Sequence, residues 1–509
     1  MDSPVPALAD RAAAAADRLL AADSVLLASH IDADGLTSAA VGATALERAG
    51  IAFEVTFKKQ LDAAEIETIA NAGFETVLFT DFGSGQLEHI VQHEREGAFT
   101  PVIADHHQPA DADTEYHVNP LLEGIDGGGE LSGAGTTYVL ARAMAECGSD
   151  GSQATDGVDI RPASSPAGPP ADPSHDHATA GNRDLAALAV VGAVGDMQTV
   201  DGELIGANAA IAAEGVAAGV LDTATDLAMY GTQTRSLPKL LEYASDVRIP
   251  GITNSQSGSI RFLEGLDVDL RRDGDWRTWA DLRHEERQAV VSGLVQHAVS
   301  RGVPPDRINQ LVGSSYTLTR EEPGTVLRDA SEFSTLLNAT ARYERADVGL
   351  AVCLGDRAQA FAEAERLLRR HRRNLSEGLD WVASSGVTRE TNVQWFHAED
   401  RIRETIVGIV AGMALGADGV DPDRPIVGFA YKTDAEDETK VSARGTPRLT
   451  GRGLDLADVM DEASSRVGGE GGGHAVAAGA TVPRGKESAF LEVVDELVGV
   501  QVGGSGGDG

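Results

Sequence analysis

Several kinds of residue that would set the class of a protein are scarce in this chain. Of its 509 residues only Cys147 and Cys353 are cysteines, far apart and without CxxC spacing. That excludes a disulfide framework and a thiolate zinc site. Aromatic residues make up only 5%, which favours α/β layers over an aromatic-rich sandwich. No apolar run approaches the roughly 20 residues needed to span a bilayer, so no membrane partner is expected. The first residues, MDSPVPALADRAAAAADRLL, carry early acids and no basic segment ahead of an apolar core. A secretory signal would read differently, and a cytoplasmic location is the expectation.

Acidic residues are abundant. Asp and Glu total 79 against 42 Lys and Arg, a formal charge of −37, and only six of the basic residues are lysine. Such charge ordinarily argues against a nucleic-acid partner, because phosphate binding leans on Lys and Arg. Here the excess is spread along the chain, as on a surface adapted to high salt. At molar salt the Debye length is about 3 Å, so phosphate contacts would have to be short or metal-bridged.

The first 130 residues alternate short apolar runs with helical patterns. SVLLAS (24–29), FEVTF (53–57), TVLFT (76–80) and PVIA (101–104) are spaced by predicted helices around 36–49 and 61–72. This alternation predicts a parallel sheet with helices on both faces. Further helices are predicted at 133–147 and 183–195. Between them, 148–182 is rich in Gly, Pro, Ser and Asp and reads as a disordered insertion within one domain; His175 and His177 inside it read as solvated loop residues rather than a metal pair. Residues 205–300 read as mostly helical. From about 308 a second, smaller α/β pattern begins with QLVGSSYTL, a helix from 331, DVGLAVCL, a long helix at 357–377, and PIVGFAY. The expected division is 1–220 as the first domain, 221–307 as a helical connection, 308–500 as the second domain, and 501–509 as a disordered tail.

Polar clusters recur at one place in the pattern. His30, Asp32 and Asp34 follow SVLLAS; Asp81 follows TVLFT; Asp105, His106 and His107 follow PVIA. Each group lies just past the carboxyl end of a predicted strand, where open α/β sheets bind their ligands. Asp196 ends the apolar run VVGAVG and can fold onto the same edge. Taken singly, Asp34 reads equally as a helix N-cap, and Asp81 and Asp196 as turn residues. Taken together, carboxylates with imidazoles and no thiolate suit Mn²⁺ or Mg²⁺, with Zn²⁺ open. Their number exceeds the needs of one catalytic ion and suits two ions about 3.5–4 Å apart. GGEGGG (468–473) would let backbone N–H groups approach an anion, and HAVAAGA (474–480) is expected to open a helix whose N-terminus favours phosphate.

At these residues the chain resembles the DHH phosphoesterase superfamily. HIDADG (30–35) is similar to its first motif, Asp81 to its second, DHH (105–107) to its third and GDMQ (195–198) to its fourth, with SGAG (132–135) also matching. GGEGGGHAVAAGA (468–480), ASEFSTLLNATAR (330–342) and KVSARGT (440–446) resemble parts of the DHH-associated substrate-binding domain. The HxDxD spacing resembles the RecJ-type single-strand exonucleases, especially archaeal ones, whereas small-molecule members space this motif HxxxDxD. The resemblance implies a parallel-sheet DHH domain, a smaller α/β DHH-associated domain, and two divalent cations, Mn²⁺ ahead of Mg²⁺. It implies that Asp81 bridges the ions, that Asp32 with His30 binds one, and that Asp34, His106 and Asp196 complete the other; His30 is the ligand that varies in the nuclease branch. His107 would face the scissile phosphate, Asp105 would orient its neighbours, and Ser442, Arg444, Gly471, Gly472, Gly473 and His474 would bind substrate. The implied activity is exonucleolytic hydrolysis of single-stranded DNA or RNA, with archaeal replication proteins as further partners. Two alternatives stand beside it: a phosphodiesterase for small substrates (a nanoRNase, a bisphosphonucleoside phosphatase or a cyclic dinucleotide phosphodiesterase) and a catalytically weak replication scaffold.

Overall fold

A computed structural model describes residues 3–151, 180–244, 247–417, 419–433 and 435–503. The insertion expected at 148–182 and the pair His175 and His177 lie almost wholly outside these residues, as does most of the expected tail. The chain forms two compact units, Met1–Glu365 and Arg366–Gly509.

The first unit is built on a five-stranded parallel sheet, β1 (Ser24–His30), β2 (Ala52–Lys58), β3 (Thr76–Thr80), β4 (Thr100–Ala104) and β5 (His117–Val118), in the order β2-β1-β3-β4-β5. The helices α1 (Ala9–Leu20), α2 (Ala33–Arg48), α3 (Ala63–Ala70), α4 (Leu87–Arg95), α5 (Gly133–Gly151) and α6 (Ala186–Gly195) complete the layer arrangement. The strands read as nearly continuous apolar runs because both faces are covered. Their side chains alternate between two cores. Val25, Leu27, Leu78 and Val102 pack with Ala12, Leu19, Leu46 and Tyr138 on one face. Leu26, Val77, Phe79 and Ile103 pack with Ile66, Ile69, Ile90 and Val91 on the other. Strand β1 is flanked by β2 on one side and β3 on the other, so the chain reverses its direction of travel across the sheet there. The crevice at the carboxyl ends of β1 and β3 is a topological switch point, the place where such sheets bind ligands.

Beyond the sheet, β6 (Leu221–Leu227) pairs antiparallel with β7 (Val312–Leu318). Between them lies a separate cluster of Leu237, Leu240, Trp279, Val290 and Leu294, carried by helices and short ribbons. The boundary expected at 308 therefore falls inside the first unit. Residues 312–318 of QLVGSSYTL are held by strand pairing to residues 221–227, and the helix Ala330–Arg342 packs on α2 and α6. A sequence pattern shows where elements alternate but not which partner a strand finds.

The second unit carries a six-stranded mixed sheet: β8 (Thr388–Arg389), β9 (Gln394–His397), β10 (Ile426–Tyr431), β11 (Glu438–Arg444), β12 (Glu470–His474) and β13 (Ala477–Pro483), in the order β8-β9-β10-β11-β13-β12. The helix expected from HAVAAGA does not form. Residues 470–474 and 477–483 are instead an antiparallel hairpin. Ala478, Ala480 and Val482 alternate into the core beneath it, a period of two that overrides the helix preference of alanine.

Phe79 is fully buried at the centre of the parallel sheet. Truncation by Phe79→Ala is expected to cost the first unit about 3–5 kcal/mol, read as a lower urea midpoint; a midpoint within error of the parent would contradict this packing.

Candidate metal centre

Three strand ends and three helix ends converge in the crevice. His30 is the last residue of β1, Asp81 directly follows β3, and Asp105 directly follows β4. Asp81 has left-handed backbone (φ 59°), a conformation that Asp tolerates better than most residues. Its N–H donates to the Ala104 carbonyl (3.0 Å), which holds the turn against β4. Asp32, not Asp34, is the N-cap of α2: its Oδ1 accepts from Gly35 N–H at 2.9 Å. Asp34 sits in the first turn and turns inward. Its carboxylate accepts from the Gly133 (2.7 Å) and Ala134 (3.0 Å) N–H groups at the start of α5. The SGAG motif thus supplies a positive helix end to a buried acid. A side chain at Gly133 would collide with the Asp81 carboxylate, which explains the glycine. Asp196 caps the C-terminal end of α6.

Among the described residues these placements bring three groups of ligand atoms together, each within 4.8 Å: His30, Asp32 and Asp81; Asp34, His106 and Asp196; and Asp81, Asp105, His106 and His107. Asp81 lies between the first two. His30 Nδ1 is 3.5 Å from its Oδ2, and His106 Nε2 is 3.3 Å from its Oδ1. Asp81 Oδ1 is buried and, among the described residues, has no hydrogen-bond partner. A buried carboxylate oxygen without a donor is costly, and a cation is the group that would satisfy it.

His106 is held in one ring orientation. Its Nδ1 lies 2.6 Å from the Gly127 carbonyl; donating there leaves Nε2 turned toward Asp34, Asp81 and Asp196. Gln198 Nε2 donates to the same Gly127 carbonyl (2.8 Å) and to Asp196 Oδ2 (2.9 Å), while its Oε1 accepts from Asn208 Nδ2 (2.7 Å). Asp105 is occupied differently. Its Oδ1 accepts from the His106 N–H (2.8 Å) and faces His107 Nδ1 (2.8 Å), and its Oδ2 accepts from the Ser84 N–H (2.9 Å). It therefore orients both histidines and has little capacity left for an ion. His107 is more than half exposed, its ring held at Nδ1. Behind this pair, Asn119 Nδ2 donates to Ser84 Oγ (2.8 Å) and to the His107 carbonyl (2.8 Å).

The electrostatics follow from burial and crowding. Burial first, then the charges of Asp81 and Asp196, push the Asp34 carboxyl well above its ordinary range. Asp196 is raised by burial; His106 opposes the shift, and Asp81 and Asp32 add to it. Burial disfavours a proton on His30, but Asp32 and Asp81 outweigh it and raise its pKa to about 11. Burial likewise opposes the charge on His106, and Asp81 and Asp34 drive its pKa well upward. Burial would raise Asp32, but the His30 partner holds it below the usual range. His107 is raised, chiefly by its hydrogen bond to Asp105.

In the second unit, Ser442 and Arg444 lie on β11, paired through β13 with the glycines of β12. One row across the three strands is Ser442, Gly479 and Gly472; the next but one is Arg444, Ala477 and His474. Gly471 and Gly473 flank Gly472, and Gly473 has a left-handed φ of 140°. The Ser442 side chain is buried, while His474 is exposed. The supports Gln198, Asn208, Gly127, Ser84 and Asn119 escape a search for ligand types. Only Gln198 had a signal, its position two residues past Asp196. Asn338, whose Oδ1 accepts from Ala33 N–H (3.1 Å) at the start of α2, lies in ASEFSTLLNATAR, a stretch noted only for its resemblance to part of another domain.

The class of the protein follows from this combination. Residues 24–158 match the DHH family, N-terminal domain; residues 229–312 match the DHH-CID domain; and residues 392–499 match the DHHA1 domain. The chain belongs to the DHH superfamily and has a RecJ-like fold. The DHHA1 domain lies wholly in the second unit, so ASEFSTLLNATAR (330–342), which resembled part of it, belongs to the first unit instead.

Among individual proteins, the chain is similar to an uncharacterized protein of Methanocaldococcus jannaschii, 27% identical over 481 residues and covering 93% of each chain. Its fold is similar to that of RecJ from Thermus thermophilus in complex with Mn²⁺, with 17% identity, TM-score 0.56 and 97% of this chain covered. The chain spans only 55% of that protein's length. A second solved structure, exonuclease RecJ bound to manganese, shares 17% identity and TM-score 0.55 and is covered to 94%, against 96% of this chain. CDC45 from Entamoeba histolytica shares the fold at 11% identity and TM-score 0.59, covering 96% of this chain and 97% of its own. Among the described residues no helix is long and apolar enough to cross a membrane.

Two outcomes are expected of this centre. A proton and a cation compete for the same atoms, and the raised Asp34, Asp196 and His106 keep their protons further up the pH scale. Mn²⁺ affinity should therefore rise between pH 6 and pH 8 in titration calorimetry; an affinity independent of pH would count against this site. Gln198→Ala frees Asp196 and loosens the Gly127 anchor, and should weaken Mn²⁺ binding by about 10–100-fold without unfolding the chain. Unchanged binding would show that Gln198 does not hold the ligand.

Proposed function

We propose that this protein is a metal-dependent exonuclease that hydrolyses phosphodiester bonds of single-stranded nucleic acid. The DHH domain and RecJ-like fold support a phosphoesterase or nuclease. The observation that carries the reading is Asp81, whose Oδ2 faces His30 and whose Oδ1 faces His106, the latter oxygen being buried without a hydrogen-bond partner among the described residues. His30, Asp32 and Asp81 would hold one cation, and Asp34, His106, Asp196 and Asp81 the other, with Mn²⁺ favoured and Mg²⁺ as the alternative. When bound, such a pair supplies Lewis acidity and a water deprotonated near neutral pH.

The chain's own groups do the rest. Asp105 holds His107 by Nδ1 and favours its charged form, so Nε2 is a cationic donor for phosphoryl oxygens where negative charge builds up. Gln198 keeps Asp196 turned toward His106. Ser442, Arg444, the backbone of Gly471, Gly472 and Gly473, and His474 form the phosphate-binding rows of the DHHA1 sheet; a hairpin with glycines, rather than a helix end, offers its N–H groups there. The small-substrate phosphodiesterase remains a rival of the same chemistry. The scaffold reading draws on the fold shared with CDC45, but the complete set of ligands favours catalysis.

Oligonucleotides labelled at either end, compared with dinucleotides in the presence of Mn²⁺, test the reading. Stepwise release from the long strand is expected. His107→Ala should lower kcat by about 10²–10³-fold, and Asp81→Asn should abolish release. Turnover confined to dinucleotides would establish the rival, and equal negligible rates for the parent and Asp81→Asn would establish the scaffold.

A further inference from the structure

Arg366, Arg369, Arg370, Arg372 and Arg373 fall within eight consecutive residues of the helix Gln359–Ser385. No other eight-residue window of the sequence holds five arginines, and no acid occurs between Glu365 and Glu377. In a chain with net charge −37, this segment is a local reversal of sign.

The spacing organises it. Positions 366, 369, 370 and 373 follow i, i+3, i+4 and i+7, so these four arginines line one face of the helix, with Arg372 beside them. All five are exposed. Leu367, Leu368 and His371 are buried on the other side. Further along, Val382 joins the core formed with Ile402 and Val410 in the second unit, which fixes which face turns outward. Like charges three and four residues apart work against the helix itself. A carboxylate is set against the face at Glu377, with its Oε1 at 3.9 Å from Arg373 Nε.

We propose that this arginine face binds the phosphodiester backbone of single-stranded nucleic acid, through residues other than those of the metal centre and the DHHA1 hairpin. The inference rests on the nuclease reading above. Guanidinium groups pair with phosphate in a planar two-point geometry and are more weakly hydrated than ammonium. The choice of arginine suits a surface where surrounding acids and high salt both weaken phosphate contacts that rely on long-range attraction. From Arg366 to Arg373 the helix rises about 10 Å, enough for about two to three successive phosphates.

The test compares the full chain with the variant R366Q/R369Q/R370Q/R373Q and with a second variant carrying lysine at the same four positions. Binding of fluorescein-labelled oligo(dT) of 20 nucleotides is followed by anisotropy in EDTA over a series of salt concentrations. The glutamine variant should bind at least tenfold more weakly at low salt. Its slope of log K against log salt should be shallower by about 1.5–2, the loss of two to three phosphate contacts on a single strand. The lysine variant should keep most of the slope. Mn²⁺-dependent hydrolysis of bis(p-nitrophenyl) phosphate and of a dinucleotide should be unchanged in both, since neither variant alters a residue of the metal centre. Unchanged affinity and slope in a glutamine variant that still hydrolyses the small substrates would overturn the proposal while leaving the nuclease reading intact. An equal loss on every substrate would also overturn it, by showing a structural role. A parent that cleaves dinucleotides but neither binds nor degrades the long strand would overturn both.

Discussion

Mutual repulsion among Asp32, Asp34, Asp81 and Asp196 is the constraint around which the first unit is arranged. Four carboxylates brought to one crevice cannot all stay charged without compensation. The fold supplies part of it: N–H groups of α5 for Asp34, an imidazole for Asp32, and an amide for Asp196. Among the described residues, Asp81 receives no such donor at Oδ1. The deficit is therefore concentrated on the one residue that both ligand groups share. Strand order explains why the acids meet there at all. The parallel sheet turns every carboxyl end to the same edge, and the switch between β1 and β3 opens the space.

Much of this was legible because strand ends are legible. Apolar runs bounded by polar residues locate β1, β3 and β4, and with them His30, Asp81 and the DHH triplet. The structure brings together all six side chains that the sequence nominated as ligands. Asp32 and Asp34 could not be told apart as cap and inward acid, since both are short acceptors two residues apart at a helix start. Which of them the helix uses depends on α5, whose N-terminus arrives from a hundred residues away. The hairpin at 470–483 was misread for a related reason. Glycine and alanine leave little pattern, and only pairing with β11 decides that the segment is extended. The first unit's extension past 308 was hidden because β7 finds β6 across the intervening helical cluster.

The acidity of the chain acts differently on its two kinds of site. A negative field raises the local concentration of cations, so a carboxylate-rich crevice gains from its surroundings. A phosphate-binding surface has the opposite problem and must rely on contacts made within a few ångströms. Ser442, the glycine backbone and the arginine face proposed above would all be short-range devices of that sort. The sequence's preference for arginine over lysine fits the same demand.

The candidate ligands come from residues 30–34, 81, 106 and 196, which belong to the strand ends and to helices at the two ends of the first domain's chain path. An ion held among them is in effect a cross-link, closed only in the folded state and absent from the unfolded one. Free cation at a hundred times its dissociation constant would add about 2.7 kcal/mol to the folding free energy of this unit by mass action alone. The DHHA1 sheet contains none of these residues and would receive none of that gain. Cation supply would then set how long the first unit survives, and a cell short of such a cation would lose that unit before the other.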